Sequence, residues 1–153
     1  VNSRGGLPVR SFFQRAYMGA EYVIHIFDYA AFNHAERTGT QFFAAKITKA
    51  YNIRNASYII HTVGPVYRGV AEDAYLLAAC YRNSLDLALA YRCRSIAFPC
   101  ISTGAYGYPI EKAAKVSLLA AAQWLDAHPD VVMKIYFCCF NDREMAAYQK
   151  LAI

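Results

Sequence analysis

The sequence predicts an α/β layered domain. Strand-like and helix-like segments alternate from Ser57 to Leu151, three of each. The breaks between them carry Gly and Pro, as at Gly64-Pro65, Gly107-Tyr108-Pro109 and His128-Pro129. The chain has 153 residues, 57% hydrophobic and 18% charged, which suits one domain with one sizeable core and excludes general disorder. No apolar run approaches the ~20 residues that a membrane helix needs.

In chain order, the first third is hard to assign. Residues Val1–Tyr51 mix aromatic and basic residues without a clear period. Tyr22–Phe27 reads as one strand, and Lys46-Ile47-Thr48-Lys49 as a short edge strand whose lysines discourage unwanted pairing. Ser57–Val63 is rich in β-formers and stops at Gly64-Pro65, so a strand is expected. From Glu72 to about Tyr91, Leu77, Tyr81, Leu85 and Ala88 recur at helical spacing, with Glu72 and Asp73 in the first turn. Ser95–Pro99 reads as a short buried strand, and Ile101–Tyr108 as a Gly-rich loop. Ile110–Ala127 then reads as a helix stopped by His128-Pro129. Val131–Phe140 suits a central strand buried on both faces, with Val132–Cys139 expected in the sheet. Asp142–Leu151 is a last helix with Asn141 as its N-cap.

Charge and cysteine usage narrow the function classes. The formal charge is +5, with no block of like charge, so no dedicated nucleic-acid site is expected and a modest positive field suits an anionic ligand. The five cysteines, Cys80, Cys93, Cys100, Cys138 and Cys139, show no zinc spacing, so no metal is expected. Their usage suggests a reducing compartment. Val1-Asn2-Ser3-Arg4 lacks the order of a secretory leader, and a cytoplasmic location without membrane attachment is expected.

The segment that carries chemistry is Pro99-Cys100-Ile101-Ser102-Thr103-Gly104-Ala105-Tyr106-Gly107-Tyr108-Pro109, between a strand and a helix. Ser102, Gly104 and Gly107 are small enough to let backbone approach a ligand, and successive N–H groups in such a turn hold an anion. The following helix adds its positive N-terminal end. Ser102 and Thr103 add hydroxyl donors, and Tyr106 adds a ring to pack on a sugar. No Gly-Lys-Ser/Thr follows, so this is not a Walker loop. An ordinary strand-to-helix turn has the same composition, and the residues alone leave both readings open. Beside this loop, Cys100 reads as packing rather than as a nucleophile, His61 as a satisfied core histidine rather than a base, and Trp124 as core. Asp73, Asp142 and Glu144 read as helix first-turn residues.

Three stretches carry a resemblance: Ala45-Lys46-Ile47-Thr48-Lys49-Ala50-Tyr51-Asn52, then Tyr58-Ile59-Ile60-His61-Thr62-Val63-Gly64-Pro65, then Ser95 to Pro109. Together they closely resemble the macrodomain family, from about Ala45 to Ile153. The resemblance implies an ADP-ribose-binding fold with a mixed sheet sandwiched between helices. It implies that the loop at Ser102–Tyr108 wraps the diphosphate and distal ribose. That makes Ser102, Thr103, Gly104, Ala105, Tyr106 and Gly107 ligand-binding candidates. Phe140 and Asn141 match positions near the adenosine end. The implied partner is ADP-ribose or an ADP-ribosylated protein, with no cofactor.

The upstream third departs from the family pattern. The family's Gly-Asp-Ile, its Asn-Ala-Ala-Asn element and its Gly-Gly-Gly-Val-Asp-like loop have no counterpart beyond Val1-Asn2, which makes Asn2 the candidate catalytic residue. Back-translated with two bases dropped, Tyr17–Tyr22 permits Gly-Gly-Gly-Val, so part of Val1–Phe43 reads as out of frame relative to its ancestor. The expected organisation is one domain, with residues 1–44 an atypical N-terminal segment and 45–153 a macrodomain-like core. The resemblance points to hydrolysis of ADP-ribosyl or O-acetyl-ADP-ribose esters. Alternatives are a non-catalytic ADP-ribose-binding module and a defective relative with a vestigial loop.

Overall fold

A computed structural model describes residues 23–25, 44–53 and 56–151. Among the described residues, five strands form one mixed sheet in the order β2-β3-β1-β4-β5. They are β1 (Val23–His25), β2 (Ala45–Lys49), β3 (Tyr58–Thr62), β4 (Ser95–Pro99) and β5 (Lys134–Cys138). The described helices are α1 (Ala71–Ala90), α2 (Ile110–Ala127) and α3 (Asp142–Leu151).

β2 is antiparallel to β3 and lies at the sheet's edge, as its alternating lysines suggest. The strands β3, β1, β4 and β5 are mutually parallel neighbours. Their carboxyl ends therefore share one edge. That edge gathers the segments after Thr62, after Pro99 and after Cys138, where open α/β sheets bind ligands.

Strand β5 is shorter than the Val132–Cys139 expected from the apolar run, and it lies at the edge of the described sheet rather than its centre, with Lys134 exposed. Its parallel register with β4 runs from Ser95↔Lys134 to Pro99↔Cys138, so β4's five residues set its length. Val132 is 85% exposed, upstream of the ladder. Within the expected Tyr22–Phe27 strand, the described residues Val23–His25 form β1, at the centre of the sheet.

Alternation within the strands builds one core face. Ile96, Phe98, Ile135 and Phe137 are buried, while Ala97 and Tyr136 between them are half-buried. The Tyr81 ring of α1 packs on Phe98 and Phe137, and Tyr148 of α3 stacks on Phe137. Because both helices meet the same Phe137 ring, they lie on the same face. α2 packs between them, joined to α1 by Trp124 Nε1–H donating to Asp86 at 2.7 Å and to α3 through Ser117 Oγ and Tyr148 OH at 2.8 Å.

The helix ends follow local chemistry. α1 ends because Arg92 takes a left-handed conformation at φ 58°, letting Cys93 N–H reach Ala88 O and Arg92 N–H reach Leu89 O. α3 begins at Asn141, whose Oδ1 accepts the Glu144 N–H at 2.9 Å, as expected of its N-cap.

Candidate ligand site

The loop between β4 and α2 leaves the sheet's carboxyl edge at Cys100 and turns sharply at Ser102, whose φ is 67°. A non-glycine residue in this region costs about 1–2 kcal/mol, and such strain concentrates at functional turns. Several bonds hold the turn. Thr103 N–H donates to Cys100 O, Gly107 N–H to Gly104 O, and Tyr108 N–H to Ser102 O. Gly107 also sits at positive φ, 68°, where glycine is the favoured residue. Among the described residues, no backbone acceptor takes the N–H groups of Ser102, Gly104 and Ala105. Gly104 and Ala105 are exposed, directly before the N-terminal end of α2. Backbone N–H groups in this arrangement, ahead of a helix N-terminus, have the chemistry to hold an anion.

The loop rests on the segment after β3. A Cβ at Gly64 would fall on Ser102 Oγ and lie 2.5 Å from Ile101 Cγ2. Only glycine lets these two segments meet, which is why the Gly64-Pro65 and Ser102-Thr103-Gly104 elements act together. Farther along, Tyr67 N–H donates to Tyr106 O at 2.9 Å, and the Tyr67 and Tyr108 rings pack at 4.7 Å. Lys112 Nζ donates to Tyr67 OH at 3.0 Å.

Asp73 anchors this supporting segment. Its Oδ2 accepts N–H bonds from Arg68, Gly69 and Val70 at 2.8, 2.8 and 3.2 Å. Burial pushes the carboxyl's pKa up, but those three N–H groups and the Arg68 guanidinium outweigh it, holding Asp73 below the usual carboxylate range. Asp73 is therefore more than a first-turn residue.

The second wall is Phe140-Asn141, after β5. The Phe140 ring is 93% exposed at the strand's carboxyl end. Buried Glu144 joins the walls. Its Oε2 accepts Phe140 N–H at 2.6 Å, and its Oε1 lies 3.2 Å from Thr103 Oγ1. Thr103 Oγ1 also lies 2.8 Å from Cys100 O, so its single proton is shared between two acceptors. Cys100 lies below. The neighbouring Cys139 thiol, burial and the Glu144 carboxylate all push its pKa up, which keeps it protonated and fits a packing role.

The structure thus brings Ser102, Thr103, Gly104, Ala105, Tyr106 and Gly107 into one loop and sets Phe140 and Asn141 beside it through Glu144, but the expected hydroxyl donors face inward, Ser102 Oγ buried against Gly64 and Thr103 Oγ1 turned to Cys100 O and Glu144. Asn2 and the Tyr17–Tyr22 stretch lie outside the described residues. His61 is half-buried rather than core, its Nε2 3.0 Å from Thr48 Oγ1 on the edge strand. Trp124 is buried as expected, at 3% exposure. Sequence reasoning missed the roles of Asp73 and Glu144. The Asn141-x-x-Glu144 spacing was a readable capping signal, but Glu144 reaches Phe140 N–H, one residue upstream of the N-cap.

A family profile described as the Macro domain matches residues 16–117. The chain belongs to the Macro domain family. The match starts upstream of Ala45, within the segment where the motifs showed no counterpart. Among similar proteins is a macro domain-containing protein of Chlorobaculum tepidum, 52% identical over 69% of this chain and 61% of that protein. Another is a mouse protein named ADP-ribose glycohydrolase MACROD1, 47% identical over 69% of this chain and 33% of its own length. The chain thus spans less than two thirds of each of these relatives. An Oceanobacillus iheyensis macrodomain solved with ADP aligns at a TM-score of 0.68 and 35% identity, over 79% of this chain and 64% of that one. The mixed sheet expected from the resemblance is the observed architecture.

Proposed function

We propose that this macrodomain binds ADP-ribose or a related ADP-ribosyl ligand, with the diphosphate on the Ser102–Gly107 loop and the adenosine toward Phe140-Asn141. The observation that carries this is the strained turn at Ser102, which presents N–H groups without backbone acceptors before the N-terminus of α2. The ADP bound to the Oceanobacillus iheyensis relative supports a nucleoside diphosphate as the ligand class. Tyr106 packs on the sugar, and the exposed Phe140 ring stacks on the base. On this reading residues 45–153 hold the ligand, and 1–44 form an atypical part of the same domain that includes β1. Calorimetric titration with ADP-ribose tests it: saturable binding is expected, and no heat at millimolar ligand refutes it.

The name of the mouse relative favours a second reading, hydrolysis of an ADP-ribosyl bond. The described loop positions a diphosphate, and positioning supplies part of such a rate. The loop itself, Ser102–Gly107, contains no carboxylate or imidazole to act as a general base. We therefore expect turnover to be slow or absent unless Asn2 supplies the family's catalytic group. Release of ADP-ribose from a modified protein, with Asn2→Ala and Gly104→Glu as controls, measures this. Brisk turnover surviving Asn2→Ala refutes that assignment. We place the protein in the cytoplasm, a reading supported by its free thiols at all five cysteines. Among the described residues no helix is long and apolar enough to cross a membrane.

A further inference from the structure

Glu144 is 7% exposed, and its two carboxylate oxygens are spent on different walls of the site. One oxygen holds Phe140 N–H at 2.6 Å, at the start of the β5–α3 turn. The other faces Thr103 Oγ1 at 3.2 Å, inside the β4–α2 loop, 41 residues away in sequence. Its own N–H is capped by Asn141, so its backbone is fixed as well. Deeper between the walls, Cys100 Sγ lies 3.9 Å from Cys138 O and beside the Cys139 thiol, but these contacts reach neither Phe140 N–H nor Thr103 Oγ1.

We propose that Glu144 is the positioning residue that makes the diphosphate loop and the Phe140 turn one preorganised surface. The inference rests on the ADP-ribose reading given above. Glu144 acts by geometry rather than by charge, since Phe140 N–H and Thr103 Oγ1–H both need only an acceptor or a hydroxyl partner. A glutamine of the same shape satisfies both: its carbonyl oxygen takes Phe140 N–H, and its NH₂ donates to Thr103 Oγ1, which keeps its proton for Cys100 O. A methionine fills the space and satisfies neither.

The test uses ADP-ribose titrations of the wild type, Glu144→Gln, Glu144→Met, Phe140→Ala and the Glu144→Met/Phe140→Ala double variant. Glu144→Gln should stay within about twofold of wild type, while Glu144→Met should lose about tenfold, the scale of buried bonds left unmade. Phe140→Ala should weaken binding in the wild-type background but cost almost nothing further beside Glu144→Met, because the ring is then no longer held. Equal losses from Phe140→Ala in both backgrounds would overturn the proposal, as would a Glu144→Gln defect as large as that of Glu144→Met. Amide exchange in the ligand-free proteins separates this from failure of the ADP-ribose reading. Glu144→Met should speed exchange at Phe140 and also at Gly107 and Tyr108 on the opposite wall. Acceleration at Phe140 alone would show independent walls and sink the inference, whatever ADP-ribose does. Should Glu144→Met fail to fold, Glu144→Asp, too short to span both partners, replaces it throughout.

Discussion

Gly104→Glu separates folding from binding at the candidate loop. A Cβ at Gly104 would meet nothing within 4 Å, and its φ is not in the left-handed region, so the backbone accepts a side chain there. The position is exposed, so a glutamate also faces no desolvation penalty in the free protein. With ligand bound, the new carboxylate stands against a diphosphate. Two unit charges ~4 Å apart cost about 1 kcal/mol in water and about 4 at the effective dielectric of a protein surface. Two phosphate charges therefore oppose binding by at least about 2 kcal/mol, a loss of roughly 30-fold. Exclusion of the ligand by the side chain's bulk adds to this. The assay pairs a thermal melt with calorimetric titration of ADP-ribose, alongside the neutral Gly104→Gln. The melting temperature should hold, Gly104→Glu should lose the most, and the gap between Glu and Gln should narrow at high salt. An unchanged affinity in folded Gly104→Glu would refute the loop as the diphosphate site. Equal losses for Glu and Gln would refute the electrostatic part of the argument.

Gly64→Ala should act in the opposite way, through the fold. Its methyl falls on Ser102 Oγ and Ile101 Cγ2, and overpacking of this kind costs about 1–3 kcal/mol, read as a lower melting temperature that Ser102→Ala partly restores. Tyr106→Ala should weaken ADP-ribose binding by only about 0.5–1.5 kcal/mol, the scale of an aromatic contact; a loss beyond 100-fold would give that ring a larger role than packing. The lowered pKa of Asp73 predicts an acid-sensitive loop. A carboxyl depressed in the folded state stabilises fully above its unfolded pKa of about 3.9 and loses that contribution as pH falls through the lower folded value. Stability should therefore drop below about pH 4 in the wild type and less steeply in Asp73→Asn. Parallel pH profiles would contradict the assignment.

The sequence was most legible where local chemistry and tertiary packing agree. α2 and α3 match their expected bounds because Pro109, His128-Pro129 and Asn141 mark their ends. β5 was overread because periodicity in an apolar run carries no information about its partner's length, and the register with β4 set the limit. α1 ends within one residue of the expected Tyr91, although Arg92 closes it in a conformation usually left to glycine. At the site, the loop was visible from its small residues, but its supports were not. Asp73 and Glu144 look like routine first-turn acids, and only the fold shows their carboxylates turned inward to backbone N–H groups. Gly64 was visible as a strand stop, yet its reason is a contact with Ser102 that spacing alone does not reveal.

The place of β1 has a kinetic consequence. Val23–His25 pairs on one side with Ile59 and Ile60 and on the other with Ile96 and Ala97, so a strand earlier in the chain is the wedge between two later ones. β2 and β3 can zip as a near-neighbour antiparallel pair, and β4 and β5 are joined through α2. Neither half can complete the sheet until a strand from far upstream enters between them. Loop closure over such distances is slow, and parallel pairing cannot be shortcut by a hairpin. Until the wedge arrives, β3 and β4 each present an unpaired inner edge. Those same strands end in the two segments that meet at Gly64 and Ser102. The contact between Gly64 and Ser102 therefore needs β3 and β4 set on either side of β1, and the pairing that covers their inner edges is the same pairing that brings these two segments together.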